Sequence, residues 1–338
     1  MKRHSYAVAV GALVAGSVLF VYVVRRTGVH EIWLNVQTIG WGLGWLLLVS
    51  AVRPLARTLA WLHCLPPAER RVGWLRILRA RLAADAMGNL TSAGPFVAEP
   101  SRVFFFGNRL SLPAASSSAA LESLTYTLSC GVMLLTGALC WLLRFKLSES
   151  LQTVAVAISA AVALAVAALL LVFKERWAIT ETVSRVARRI VRRKGFDQAV
   201  DRHLYKLLEI EEYVYDFYRQ RPGDFLRVLA YETIFHLAGA VEIYLTFLLL
   251  GVPTGWAAAF ILEALNRLIN MLFAFVPAKV GIDEAGSGWL AGLLGIGAAA
   301  GVTLALYRKL RLLLWTAAGL FCLALLARPQ TSARPSAK

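Results

Sequence analysis

Apolar runs long enough to cross a bilayer recur along this sequence, and they leave few folds open. A membrane helix needs about 20 mostly apolar residues. Such runs stand at 6–24, 41–62, 116–143, 151–172, 225–250, 256–276 and 302–326. Of the 338 residues 58% are hydrophobic and only 17% charged, against roughly 25% charged in an average soluble domain. Backbone groups in hydrocarbon must find partners within the fold, which admits helices and closed barrels. No stretch alternates at period two, so a barrel is excluded. The expected fold class is all-α, a polytopic integral membrane protein with about six to eight membrane helices. A formal charge of +16 would suit nucleic acid in a soluble protein. Here the bases lie between apolar runs, where positive-inside bias and anionic headgroups account for them. No nucleic acid partner is expected.

Two interruptions stand out against that background. Residues 275–286 carry Pro277, Lys279, Gly281, Asp283 and Glu284 between apolar runs. Proline removes a donor and clashes with the preceding turn, and charges at membrane depth face a cavity or the bundle interior. Residues 89–102 read alike, with Asn89, small residues, Pro95, Glu99 and Arg102. Broken backbone at that depth is tolerated only under cover of protein or water. Paired interruptions in two halves of a membrane protein point to a transport site. The pattern predicts two re-entrant broken helix pairs, turning near Pro95 and near Pro277, arranged as an inverted repeat.

The rest of the chain fits one transmembrane domain over 1–327, its first half 1–173 and its second half 223–327. Between the halves lies a cytoplasmic amphipathic segment, 174–222, and residues 328–338 read as a disordered tail. The basic start and apolar body of 1–24 suggest a signal peptide, but Arg25 and Arg26 follow where a cleavage site would need small residues, so a retained first helix is expected. The run 41–62 holds Arg53, Pro54 and Arg57. Either its apolar part stops near Val52 or the arginines face the interior, with snorkelling to the headgroups as the alternative. Pro66 and Pro67 end it. Bases interleaved with apolar residues over 69–81 suit a helix in the headgroup plane.

Over 179–190 apolar residues recur at helical spacing, with Arg185, Arg188, Arg189, Arg192, Arg193 and Lys194 opposite. That face is expected to meet anionic lipid, or simply to mark a cytoplasmic loop. The run 225–250 carries Glu232, His236 and Glu242 on roughly one face. Glu242 is the expected buried acid, and Glu232 is expected near the interface. Whether Glu122, Glu232 and Glu242 are functional or structural stays open. Placing the basic segment inside the cell puts both termini in the cytoplasm, and the two broken pairs then enter from opposite faces. Four scattered cysteines and five histidines form no ligand spacing, so no metal, disulfide or cofactor is expected.

A lipid crossing the membrane must carry its polar headgroup through hydrocarbon, at a cost far above thermal energy for a charged group. A polar cavity at mid-depth lowers that barrier, and broken helices aim their free ends at it. Glu99, Arg102, Lys279, Asp283, Glu284 and Arg308 are the candidate lining residues. Arg102 or Lys279 can pair with a phosphate. Glu99 and Glu284 can bind an amine or hydroxyl headgroup, or carry a coupling proton. The competing reading of each acid is a structural ion pair, for example Glu284 with Arg308.

At these positions the chain resembles the transmembrane flippase-like domain of the lysylphosphatidylglycerol synthase family. The resemblance runs through Arg57 to Leu65, then Asn89, Pro95, Glu99 and Arg102, then Glu122-Ser123-Leu124. It continues with Pro277, Gly281 and Glu284 and ends on Tyr307-Arg308, covering roughly residues 5–327. Ala98 stands where glycine is usual, Pro100 follows the glutamate, and Ser123 replaces an arginine. The resemblance implies translocation of a lipid or lipid-linked headgroup between leaflets of the cell inner membrane. The soluble aminoacyltransferase domain of the synthases has no counterpart here, so aminoacyl-lipid synthesis is not implied. Two alternatives remain: an intramembrane enzyme acting on a lipid headgroup, and a non-transporting scaffold for lipid enzymes. The former would add a nucleophile, metal set or sugar-nucleotide site, and no such constellation is visible.

Overall fold

The structure is a computed structural model that describes residues 37, 39–91, 94–106, 110–145, 148–175, 182, 196–273 and 282–327. The expected first span 6–24, most of the basic stretch 179–193, the tail 328–338, and Pro277, Lys279 and Gly281 lie outside the described residues. Among the described residues every regular element is helical. We number the α-helices α1 Gly42–Cys64, α2 Trp74–Asn89, α3 Gly94–Phe104, α4 Leu112–Arg144 and α5 Glu149–Glu175. They continue as α6 Phe196–Gln220, α7 Pro222–Leu249, α8 Trp256–Leu272, α9 Ile282–Leu293 and α10 Ala298–Ala327. Five of them, α1, α4, α5, α7 and α10, are long and apolar enough to cross a membrane. The chain is an all-α, multi-pass membrane protein.

Local chemistry explains most boundaries. The α1 helix runs through Pro54, a position that removes one ladder donor. It ends at Cys64, where Pro66 and Pro67 forbid another turn, and a 3-10 turn over Pro67–Val72 follows. The orphan carbonyls at its C-terminus are met by guanidinium groups. Arg70 donates to the His63 carbonyl at 3.0 Å and Arg221 donates to those of His63 and Leu65 at 2.9 and 3.0 Å. Asp224 pins both arginines. Tyr213 of α6 donates to the Cys64 carbonyl at 2.6 Å, and burial pushes its hydroxyl up to about 12, so it stays a donor at neutral pH. Gly73, at φ +80°, supplies the left-handed corner into α2. Ser111 caps α4, accepting from the Ala114 amide.

Several expectations are corrected at this level. Residues 69–81 do not form a separate interfacial helix, because the second helix starts at Trp74 and carries Arg81 into the interior, 1% exposed. In the first interrupted stretch α2 ends at Asn89 and α3 begins at Gly94, with Pro95 in the first turn of α3, where a missing amide costs nothing. The stretch 285–300 is not one helix, since α9 stops at Leu293 and α10 begins at Ala298.

Helices α2 and α3 have 16 and 11 residues, and α8 and α9 have 17 and 12. At about 1.5 Å per residue, each falls short of the roughly 30 Å hydrocarbon layer. Helix α1 lies along α7, α2 lies along α10, α8 packs on α4, and α9 packs on α10. Close approach is built from small residues. A Cβ on Gly319 would stand 2.2 Å from the Leu82 carbonyl oxygen, which is why α10 can rest against α2. Apart from its contact with α4, α5 presents apolar side chains outward, among them Val154, Leu164 and Leu171.

Candidate functional site

Arg53 and Arg57 stand one turn apart on α1 and both turn inward, with side chains 13% and 17% exposed. The interior reading of these arginines is the one the structure supports. Each reaches a different buried carboxylate.

The first hub is Glu122, fully buried on α4. Its Oε1 accepts from Arg57 at 2.6 and 2.8 Å and from Arg81 of α2 at 2.8 Å. Its Oε2 accepts from Arg102 of α3 at 2.9 Å. Arg102 also donates to Glu99 and, at 3.2 Å, to Ser123, whose hydroxyl donates to Glu99 at 2.9 Å. Trp61 of α1 backs this cluster. The Arg81 and Arg102 guanidinium groups lie 5.6 and 5.3 Å from its ring centroid, a cation–π arrangement. Its indole N–H donates to Ser118 at 3.1 Å.

The second hub is Glu263 on α8, 3% exposed. Arg267, one turn on, and Arg53 donate to its Oε1, and Arg308 of α10 donates to its Oε2 at 3.0 Å. A Cβ on Gly239 of α7 would stand 2.3 Å from Glu263 Oε1, so any side chain there would have to displace this carboxylate from its arginines. Glu242 accepts from Arg53 at 3.5 Å and from Arg311. Arg308 also lies 3.9 Å from Asp283, and Lys309 pairs with Glu284.

Aromatic rings join the two hubs. Phe235 lies beneath Arg53 and Arg267 at 4.6 and 4.9 Å, and Tyr126 beneath Arg57 at 4.0 Å. The Tyr126 hydroxyl accepts from Arg267 at 2.8 Å. His236 stacks on Tyr126 and meets the Ser129 hydroxyl at 3.0 Å. A chain of charge and π-face therefore runs from α3 to α9 through the bundle. Its cations can bind anionic groups, and its buried acids can bind cations or protons. Among the described residues no group of three His, Cys, Asp or Glu side chains could hold a metal ion.

A family model described as the lysylphosphatidylglycerol synthase TM region matches residues 7–326, nearly the whole chain. The chain belongs to this family. Searches of curated proteins and of solved structures returned no match.

Within this family member the expected site residues divide. Glu99 and Arg102 join the first hub, while Asp283, Glu284 and Arg308 join or border the second. In place of the Glu284–Arg308 pair offered as the competing structural reading, Glu284 pairs with Lys309 and Arg308 turns to Glu263. Asn89 is used elsewhere, donating to Thr316 at 3.2 Å and tying α2 to α10. Glu232 is fully buried within the bundle, and Glu242 is buried too.

The functional residues missed are the carboxylate hubs, whereas Arg53 and Arg57 were recognised as candidate interior charges without a partner being assigned. Glu122 was visible only as part of the family pattern, and Glu263 and Arg267 were overlooked inside an apolar run. The signal was there: charges one helical turn apart within a membrane-length apolar segment mark an interior face. An open depression of about 630 Å³ lies apart from both hubs, lined by residues including Glu69, Arg71, Arg76 and Ser111. Its place beside the 3-10 turn makes it a surface feature.

Proposed function

We propose that this protein moves a lipid, or a lipid-linked polar headgroup, between leaflets by way of the buried arginine–carboxylate chain. The observation that carries the reading is that Glu122 and Glu263 each gather three arginines from different helices. Burying that much charge costs several kcal/mol per ion after relaxation. One-to-one pairs would suffice to hold helices together. An excess of guanidinium donors around one carboxylate suits a ligand with several acceptor oxygens, such as a lipid phosphate.

The inverted-repeat reading has support in the pattern of charges. Helices α2 and α8 both open on tryptophan, Trp74 and Trp256. Arg81 and Glu263 stand at equal distances after them, as do Asp85 and Arg267. The charges are reversed between the two halves. Helix α2 packs on α10 and α8 on α4, the exchange expected when two similar halves interlock. On this reading α2–α3 and α8–α9 are the two re-entrant pairs, and Pro277, Lys279 and Gly281 belong to the second. The protein would sit in the cell inner membrane with both termini cytoplasmic, and its basic segment would meet anionic lipid.

The test is translocation of fluorescent glycerophospholipids and polyprenyl phosphates in liposomes carrying the full chain, with mass spectrometry of the lipids afterwards. Faster translocation than in protein-free liposomes, with headgroups unchanged, is the expected result. No acceleration of any lipid would contradict the proposal, and altered headgroups would favour an enzyme.

A further inference from the structure

Glu232 is the buried acid that neither hub uses. Its side chain is fully buried on α7, and among the described residues neither carboxyl oxygen has a donor within hydrogen-bond reach. Arg57 stands beside it, its Nε 3.8 Å from Oε1. That guanidinium is already committed to Glu122 at 2.6 and 2.8 Å. Two carboxylates thus flank one arginine. Like charges so placed resist simultaneous ionisation, and one proton shared between them removes the repulsion.

One turn along the same face, His236 has an equally bare Nδ1, while its Nε2 meets Ser129. The other groups packed around α7 are engaged. From α1 and α8, Arg53 and Arg267 are held by Glu263. From α2, Arg81 is held by Glu122, and from α4, Tyr126 accepts from Arg267. From α6, Tyr213 donates to the Cys64 carbonyl, and from α10, Arg311 pairs with Glu242. Arg221, at the start of α7, is tied to Asp224. Apart from Arg57, which Glu122 already engages, each of these groups is committed elsewhere.

We propose that Glu232 is a proton-binding site whose occupancy is linked to the binding of a lipid phosphate at Arg57. The inference takes its ligand from the translocation reading above. With Glu232 ionised, a phosphate approaching Arg57 meets two carboxylates and is repelled. With Glu232 protonated, its O–H can donate to Glu122 and so loosen that carboxylate's claim on Arg57. The phosphate then finds a guanidinium fork and one negative charge fewer. Binding is reciprocal: bound phosphate must raise the proton affinity of Glu232 by the factor that the proton raises affinity for phosphate.

The experiment is an infrared pH titration of the full chain in nanodiscs of phosphatidylcholine, with and without phosphatidylglycerol. The wild type should show a protonated-carboxyl band that Glu232→Gln lacks. Phosphatidylglycerol should move its midpoint upward by about one unit, a tenfold gain in proton affinity. Glu232→Asp should retain a displaced band, which separates loss of the group from loss of the fold. Identical wild-type and Glu232→Gln spectra would overturn the proposal, and so would a midpoint indifferent to phosphatidylglycerol. A shift produced by inorganic phosphate but not by phosphatidylglycerol would overturn the lipid assignment. If the band and its shift persist while translocation is absent, the transport reading fails and the proton-linked site stands.

Discussion

At the scale of single residues, the account turns on which charges hold the bundle together and which are available to a ligand. Glu122 accepts from three guanidinium groups in the interior. Removing one partner of a buried pair leaves the others uncompensated, at a cost of about 3–5 kcal/mol. Glu122→Ala should therefore lower the melting temperature of the detergent-solubilised protein severely or prevent its recovery. Glu99 meets Arg102 of the same cluster, but its own side chain is 42% exposed, so solvent screens its charge and its loss costs less than that of the fully buried Glu122. Glu99→Ala should leave the melting temperature close to that of the wild type. Equal destabilisation by the two would show that burial does not rank these carboxylates. The sequence pointed to Glu99 and Arg102 through a local motif, but not to Glu263. Glu263 acquires its meaning from Arg53 and Arg308, which are far away in the chain.

At the scale of elements, helix existence was legible and helix ends less so. Apolar runs of membrane length located α1, α4, α5, α7 and α10, because one-dimensional composition reports transfer into lipid directly. The short helices α2, α3 and α9 are set by tertiary contacts, which no local pattern encodes. Hence the turn after Leu293 was missed. Close helix approach yields a sharper test. A methyl group on Gly239 would overlap Glu263 Oε1 at 2.3 Å, whereas Gly255, at the start of α8, has nothing within 4 Å. Gly239→Ala should cost about 1–3 kcal/mol, as overpacking does. Gly255→Ala should fall within about 0.5 kcal/mol of the wild type. Thermal unfolding of the two variants side by side checks this, and comparable values would mean that α7 can shift away from α8 without penalty.

At the scale of the whole molecule, two short helix pairs contribute to a charged chain that α1 and its two arginines connect. Helices α2 and α8 carry charges of opposite sign at matching places, Arg81 with Asp85 and Glu263 with Arg267. The Glu122 hub draws its arginines from the first half, whereas the Glu263 hub takes Arg267 and Arg308 from the second half and Arg53 from the first. A lipid headgroup passing between the hubs would trade one set of arginines for the next and never face bare hydrocarbon. Pairing of this kind is screened only weakly by salt, because the groups are buried. Translocation should accordingly change little with ionic strength inside the liposome. A steep fall with added salt would place the rate-limiting contact at the membrane surface, for instance at the depression beside Arg71 and Arg76.

The most direct measurement compares lipid translocation by the wild type with that by the Glu99→Ala/Glu284→Ala double variant, in liposomes holding equal amounts of folded protein. These acids border the two hubs without forming their centres. The account predicts that the double variant is slower by at least about tenfold on the preferred lipid. Equal rates for the two proteins on every lipid tried would contradict it.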